Sequence, residues 1–409
     1  MKKTITFLVA LIAIYGGSHR AAAQGPPAPT FPAIVVFAEN AILDQFAAAY
    51  RPDQRANANP EAWGYLNRGV AWYVQALERT HGFSADHVYS AALRGFAARL
   101  NPRQLQDLQN DANVAYIEPD GVASIVAQTL PWGIDRIDAD LSSTLAGNGS
   151  GTITGVNAYI IDTGIDASHP DLNVGGGNVN FAGGPNTDCN GHGTHVAGTV
   201  AAKDNTSDVV GVAPGVRLTG VKVLGCGGSG TWSGVIKGID WVTANAVKPA
   251  IANMSLGGGA NTSVDDAVRR SAAAGVFYSI AAGNEGADAC NSSPARAGKG
   301  TPGTENGIVT VAATDSGNNE ASWSNYGNCV DIWAPGVSIL STRKGGGTTT
   351  MSGTSMASPH VGGSGALYLS THTSATPGGV EAALKTAAAT PGTTGKGGAA
   401  IKLVNVGTF

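Results

Sequence analysis

The sequence predicts a doubly wound α/β domain, a mostly parallel sheet with helices on both faces, preceded by a small α+β domain. Three observations lead there. From Ala127 onward, short and near-continuous apolar runs alternate with helical patterns. Glycine is unusually frequent, 58 of 409 residues, about twice its usual ~7%. The texture of the chain also changes near Val126. Strands that are apolar on both sides and alternate with helices are those of a parallel sheet sealed from water on both faces. The glycines fit tight turns and backbone held close to a ligand.

Taken in order, residues 1–23 read as an export signal. Lys2 and Lys3 form a positive start, residues 5–15 an apolar run, and Ala21-Ala22-Ala23 a small-residue cleavage site, its position blurred by His19 and Arg20. The apolar run is about half of the ~20 residues that span a bilayer, so a signal is expected rather than an anchor. Residues 24–126 form the small domain. They open on a Pro-rich stretch at 25–32, lack cysteine, and carry 7 Arg against 10 Asp and Glu. Residues 31–37 and 91–100 read as strands, and 63–80 and 102–110 as helices.

Residues 127–409 form the larger domain. Strands are expected at 158–161, 217–224, 251–256, 276–282 and 308–313, with helices at 193–202, 231–246 and 263–274. The last helix offers Ser263 as N-cap, Asp265 and Asp266 in its first turn, and Gly275 as terminator. The Gly/Thr-rich run 344–350 reads as a loop. In such sheets ligands gather at the carboxyl ends of the strands.

Composition excludes several functions. Charged residues make up 13%, apolar residues 43%, and the net charge is −4, with no Lys/Arg run to meet a nucleic acid. Beyond the signal no segment is apolar for long enough to span a membrane, and a monomer is expected. The four cysteines are Cys189, Cys226, Cys290 and Cys329. An even number in an exported chain suggests two disulfides, for which three pairings exist. Nearest-neighbour pairing closes the shortest loops and is favoured. A metal site at Cys189, His192 and His195 would lack a fourth ligand at matching spacing.

Three short motifs carry chemistry. Asp162 directly follows the strand Tyr159-Ile160-Ile161. His192 lies in Asn190-Gly191-His192-Gly193-Thr194-His195, a Gly-rich turn opening a helix. Ser355 lies in Gly353-Thr354-Ser355-Met356-Ala357-Ser358-Pro359-His360, at the mouth of another. A hydroxyl becomes a good nucleophile when an imidazole takes its proton and a buried carboxylate orients that imidazole. A helix N-terminus adds free N–H groups for an oxyanion, with Ser355 supplying one. Asn284, in Ala281-Ala282-Gly283-Asn284-Glu285, ends an apolar strand and suits a second oxyanion donor. Singly each residue is ordinary; the order Asp, His, Ser with each in its own Gly-rich motif is not.

These motifs closely resemble the three signatures of the subtilisin-like serine proteases, the subtilase or S8 peptidase family, from about Ala127 to the C-terminus. Residues 33–36, 87–100 and 114–119 look like the family's I9-type inhibitory propeptide. The four cysteines resemble the aqualysin and proteinase K branch, which supports the two disulfides. The resemblance implies a secreted serine endopeptidase that acts on proteins and peptides, made as a zymogen whose propeptide templates folding and inhibits. The groove walls would be Gly228, Ser229 and Gly230 on one side and Ser255, Leu256 and Gly257 on the other. Trp232 would stand near the pocket for the fourth residue upstream of the cut, and Glu285 near the rim of the first pocket. A neutral, apolar side chain is the expected occupant of that first pocket.

The resemblance also implies structural calcium (Ca2+), held by Gln128, Asp171, Asn205 and the carbonyls of Lys203, Ser207 and Val209. Lys203 and Asp208 depart from the family, which often has apolar residues or Gly there. Asp331 would help a weaker second site. The run Ala127-Gln128-Thr129-Leu130-Pro131-Trp132-Gly133 resembles a mature N-terminus, so cleavage is expected between Val126 and Ala127. Other readings are weaker. Asp162-Thr163-Gly164 and Asp315-Ser316-Gly317 mimic aspartic-protease motifs but leave His192 and Ser355 unused. An α/β-hydrolase has a different chain order, and a non-catalytic binding protein keeping the fold would be expected to lack a triad residue.

Overall fold

The computed structural model describes residues 29–38, 60–121, 128–299 and 305–409, and the chain forms two units that divide at residues 124/125. The expected export signal and the expected cleavage point after Val126 lie outside the described residues.

The first unit comprises β1 (Phe31–Phe37), α1 (Pro60–His81), β2 (Ala85–Tyr89), β3 (Gly95–Leu100), α2 (Pro102–Gln109) and β4 (Val114–Pro119). Its sheet runs β2-β3-β1-β4 and its pairs are antiparallel. Alternation in β1 turns Ala33, Val35 and Phe37 into a core with Phe96 and Leu100 of β3, Val70, Val74 and Leu77 of α1, and Leu108 of α2. Strand β3 starts at Gly95, later than the alternation suggested. A Cβ at Gly95 would stand 2.1 Å from the Val35 carbonyl oxygen, so only glycine lets β1 and β3 approach there. Helix α2 is closed by a capping box, the Asn101 side chain accepting from the Gln104 amide and Gln104 accepting from the Asn101 amide.

The second unit begins with α3 (Trp132–Arg136), followed by β5 (Asn157–Asp162), β6 (Asn178–Asn180) and α4 (His192–Ala201). Then come β7 (Arg217–Lys222), α5 (Trp232–Asn245), β8 (Ala250–Met254), β9 (Gly258–Gly259), α6 (Thr262–Ala273) and β10 (Val276–Ala281). The chain continues through β11 (Ser292–Ser293), β12 (Ile308–Thr314), β13 (Ile332–Pro335), β14 (Ile339–Thr342), β15 (Thr348–Met351), α7 (Thr354–Thr371) and α8 (Pro377–Ala387). A seven-stranded sheet runs β13-β12-β10-β8-β5-β7-β6, and all its pairs are parallel. From β5 the chain first adds β6 and β7 on one side, then crosses to β8 on the other, so the winding reverses between β5 and β8.

The two sides of β5 feed two cores. Ala158 and Ile160 pack with Val196 and Val200 of α4 and with Val361 of α7. Tyr159 and Ile161 pack with Val235 and Ile239 of α5 and with Val264 and Val268 of α6. The sheet is therefore covered on both faces, as its continuous apolar strands demand. Two local expectations change. The N-cap of α6 is Asn261, which accepts from the Val264 amide; Ser263 lies inside the helix, since Asn caps as well as Ser and stands earlier in the chain. Thr348–Thr350, read as loop, form β15 against β14, because Thr suits a half-buried strand and the turn uses only the glycines before it.

Candidate active site

Period-two alternation puts Asp162 on the same face of β5 as Ala158 and Ile160, the face that α4 and α7 cover. His192 is the first residue of α4 and Ser355 the second of α7. Three residues remote in sequence thus meet above the carboxyl ends of the strands. The Asp162 carboxylate is fully buried, and the His192 Nδ1 lies 2.8 and 2.9 Å from its two oxygens. Gly193 has no room for a side chain: a Cβ there would meet the Gly164 carbonyl oxygen at 2.1 Å. Burial opposes protonation of His192, but the Asp162 carboxylate, by its field and its hydrogen bond, and Asp188 further back raise it above an ordinary histidine.

Asp188 was not singled out from the sequence, yet it organises this turn. Its buried carboxylate accepts from Thr163 Oγ1, from the amides of Asn190, Gly191 and Thr194, and from Thr194 Oγ1 at 2.6–2.9 Å. Lys222, opposite Asp162 on β7, is also fully buried and donates to the Thr163 carbonyl at 2.6 Å. Burial lowers its pKa, while Asp188 and Asp162 favour its charge. The one sequence signal was a lysine inside the apolar run Val221-Lys222-Val223.

Ser355 stands in the first turn of α7. Its hydroxyl donates to the Ser255 carbonyl at 3.1 Å, so in this resting arrangement it is turned toward Ser255 rather than His192. The Thr354 amide is taken by Asn284 Oδ1, which also accepts from Thr354 Oγ1. Those two bonds hold the Asn284 side-chain oxygen against the first turn of the helix.

His192 and Ser355 line an open cleft of about 540 Å³ with Gly228, Ser229, Gly230, Trp232, Ser255, Leu256 and Gly257. A second cavity of about 350 Å³ adjoins it, lined by Leu256, Gly257, Ala281, Asn284, Glu285 and Ser355. Glu285 Oε2 accepts from Asn325 Nδ2 at 2.8 Å, which fixes an acidic group in the wall of this cavity. Disulfides join Cys189 to Cys226 and Cys290 to Cys329. The first ties the turn before His192 to the cleft segment at 225–230, so Cys189 has no thiolate to offer a metal.

The expected calcium ligands also converge. Gln128 Nε2 lies 2.7 Å from the Lys203 carbonyl and 3.3 Å from that of Val209, and the Asn205 amide donates to Asp171 Oδ1 at 2.7 Å. The Ser207 amide donates to Asn205 Oδ1 at 2.6 Å. Asp171 is buried, and that burial outweighs its hydrogen bonds to raise its pKa. Gln128 Oε1 is buried without a partner. Lys203 turns its ammonium away to the Pro170 carbonyl at 2.6 Å. Asp208 adopts a left-handed φ of 49°, which Asp tolerates better than most residues. Asp331, suggested for a second site, is taken up otherwise: it pairs with Lys385 at 2.9 Å and accepts from the Thr310 amide.

A parallel α/β sheet with a carboxylate–imidazole pair and a serine hydroxyl on one extended cleft has the layout of a serine hydrolase. Comparison with known proteins narrows this. The subtilase family model matches residues 154–402, and the peptidase inhibitor I9 model matches residues 34–125. Alkaline serine exoprotease A of Vibrio alginolyticus is 41% identical over 92% of this chain and 70% of its own length. The extracellular serine proteinase of Thermus sp. (strain Rt41A) is 44% identical over 86% of this chain and 83% of its own. The crystal structure of a cold adapted subtilisin-like serine proteinase superposes with a TM-score of 0.58 at 44% identity, covering 67% of this chain and 97% of that one. The chain belongs to the subtilase family and is a serine protease with an I9-type propeptide domain.

Proposed function

We propose that this is a secreted, self-processing serine endopeptidase in which Ser355 is the nucleophile, His192 the general base and Asp162 the group that orients it. The observation that carries the reading is the two-oxygen contact of buried Asp162 with His192 Nδ1, on the cleft that also holds Ser355. In this reading the Nδ1 proton points to the carboxylate, and Nε2 serves as the base on the side of the cleft.

The steps follow from the residues. The Ser355 hydroxyl turns from the Ser255 carbonyl to His192 Nε2, gives up its proton and attacks the substrate carbonyl. The oxyanion meets the Ser355 amide and the Asn284 NH2 group. Imidazolium then protonates the leaving amine, and water, activated by the same imidazole, releases the acyl group. An extended peptide would lie between segments 228–230 and 255–257, with Trp232 at the upstream pocket and Glu285 in the wall of the first.

Calcium fits the loop at 203–209. No group of three His, Cys, Asp or Glu residues occurs among the described residues. The set is instead one desolvated carboxylate with amide and carbonyl oxygens, which is the donor type a hard cation takes; Gln128, whose Nε2 meets the Lys203 and Val209 carbonyls, would turn its amide over to bring the unpartnered Oε1 to the same point. Bound there, the ion would supply charge to hold the loop; the reaction needs nothing from it. A chelator should shorten the half-life of the mature enzyme at elevated temperature, and added calcium should restore it.

The domain of residues 24–126 would act as intramolecular inhibitor and folding template, removed between Val126 and Ala127. Export fits the sequence of residues 1–23 and the printed name of the Thermus relative; no helix among the described residues is long and apolar enough to cross a membrane. The test is to express the precursor beside Ser355→Ala and sequence the N-terminus of any shortened product. Wild type should begin at Ala127 and the variant should stay full length. No shortening in folded wild type would sink the reading, whereas equal shortening of both would mean that another protease makes the cut.

A further inference from the structure

The helix that carries Ser355 is broken at one bond. Pro359 lies inside α7 and has no N–H, so the Ser355 carbonyl, four residues earlier, lacks its helical partner. A buried carbonyl left unpaired is costly. Here it accepts instead from Ser255 Oγ at 2.7 Å. Ser255 Oγ accepts in turn from Asn253 Nδ2 at 2.9 Å. Asn253 is held at its other end, its Oδ1 accepting from Ser279 Oγ and Ser358 Oγ, both at 2.9 Å. All four side chains are buried, and Asn253, Ser279 and Ser358 are wholly excluded from water.

The result is a fixed strut from strands β8 and β10 to the backbone of residue 355. Its last link, Ser255, meets Ser355 twice: its hydroxyl donates to the Ser355 carbonyl, and its own carbonyl accepts the Ser355 hydroxyl. Without the hydroxyl, the first turn of α7 would be tied at this point by no helical bond at all, since Pro359 has removed it. We propose that the Ser255 hydroxyl, oriented by Asn253, is a positioning device for the nucleophile, standing in for the helical hydrogen bond that Pro359 deletes. It acts through the Ser355 backbone and touches no reacting atom. The inference rests on the reading of Ser355 as nucleophile.

The strut and Pro359 are therefore coupled, and a double-mutant cycle measures the coupling. Ser255→Ala removes the donor while keeping the backbone groups of the cleft. With Pro359 present, kcat on a peptide substrate should fall about tenfold, the size of one hydrogen bond of ~1.4 kcal/mol, with KM changed less than twofold. In Pro359→Ala the amide of residue 359 can bond the Ser355 carbonyl again, so adding Ser255→Ala there should cost less than about twofold. A merely structural serine would cost the same in both backgrounds. Equal losses, or a loss confined to KM, would overturn the proposal. If Ser255→Ala alone does not fold, adding Pro359→Ala must restore folded, active protein; failure to do so counts against the strut. Labelling of Ser355 by a sulfonyl fluoride in wild type is read separately: its absence would overturn the nucleophile assignment itself, whatever the cycle shows.

Discussion

Two histidines within helices α4 and α7 should make this enzyme sensitive to acid. His195 Nε2 faces the carbonyls of Ile339 and Thr349 at 3.0 and 3.2 Å, and its Nδ1 is buried without a partner. His360 Nδ1 faces the Met356 carbonyl at 2.8 Å, and its Nε2 is buried without a partner. Each ring is satisfied as a neutral tautomer donating one N–H to a carbonyl. A second proton would sit on a nitrogen with nothing to accept its hydrogen bond. Burial accordingly lowers both from 6.5 to about 4. In the unfolded chain they take up protons near 6.5, so between those limits the unfolded state binds more protons and stability falls as pH falls. At ~1.4 kcal/mol per tenfold change in proton affinity, each histidine costs about 3 kcal/mol by pH 4. Asp171, Asp331 and Glu381, whose pKa values are raised, act in the opposite sense over the acid part of this range and offset some of the loss. The comparison must therefore be between wild type and His360→Gln. Mature enzyme inactivated with a sulfonyl fluoride, so that self-digestion is silent, is followed by tryptophan fluorescence, with the unfolding rate as observable. Between pH 7 and pH 4 the wild-type rate should rise up to about 10²-fold more than that of His360→Gln, the equivalent of ~3 kcal/mol. Identical pH dependence in the two proteins would refute the reasoning.

Three further outcomes are expected. Asp162→Asn removes the field and hydrogen bond that hold His192 up against burial. The acid limb of kcat/KM should move to lower pH while kcat falls by about 10⁴, as in the analogous substitution elsewhere; a pH–rate profile decides. Lys385→Met strips the cation from Asp331 and buried Glu381 and should cost about 3–5 kcal/mol. Thermal unfolding should show a smaller deficit at pH 5 than at pH 8, because proton uptake neutralises the stranded carboxylates. Replacing Cys290 and Cys329 by Ala opens a link between residues 39 apart. Loop entropy puts that loss at about 4 kcal/mol, read as a faster thermal inactivation with kcat unchanged.

Much of this protein was legible in its sequence because the relevant physics is local. A buried parallel strand must be apolar on both sides, so β5, β7, β8, β10 and β12 announce themselves within a residue or two of their ends. Asp162, His192 and Ser355 each sit in a Gly-rich turn at the end or mouth of an element, and period-two alternation fixes which face Asp162 takes. What the sequence does not contain is which helix covers that face, since that depends on the chain reversing between β5 and β8. Only the tertiary structure shows that Asp188 ties the His192 turn, that Lys222 is buried behind Asp162, and that Lys385 occupies Asp331. It alone shows the Ser355 hydroxyl resting on Ser255, and the carbonyl freed by Pro359 met by a hydroxyl 100 residues away in sequence. Local patterns declare which groups are special; a buried polar group's partner is whatever the fold brings within about 3 Å of it, and no local pattern carries that information.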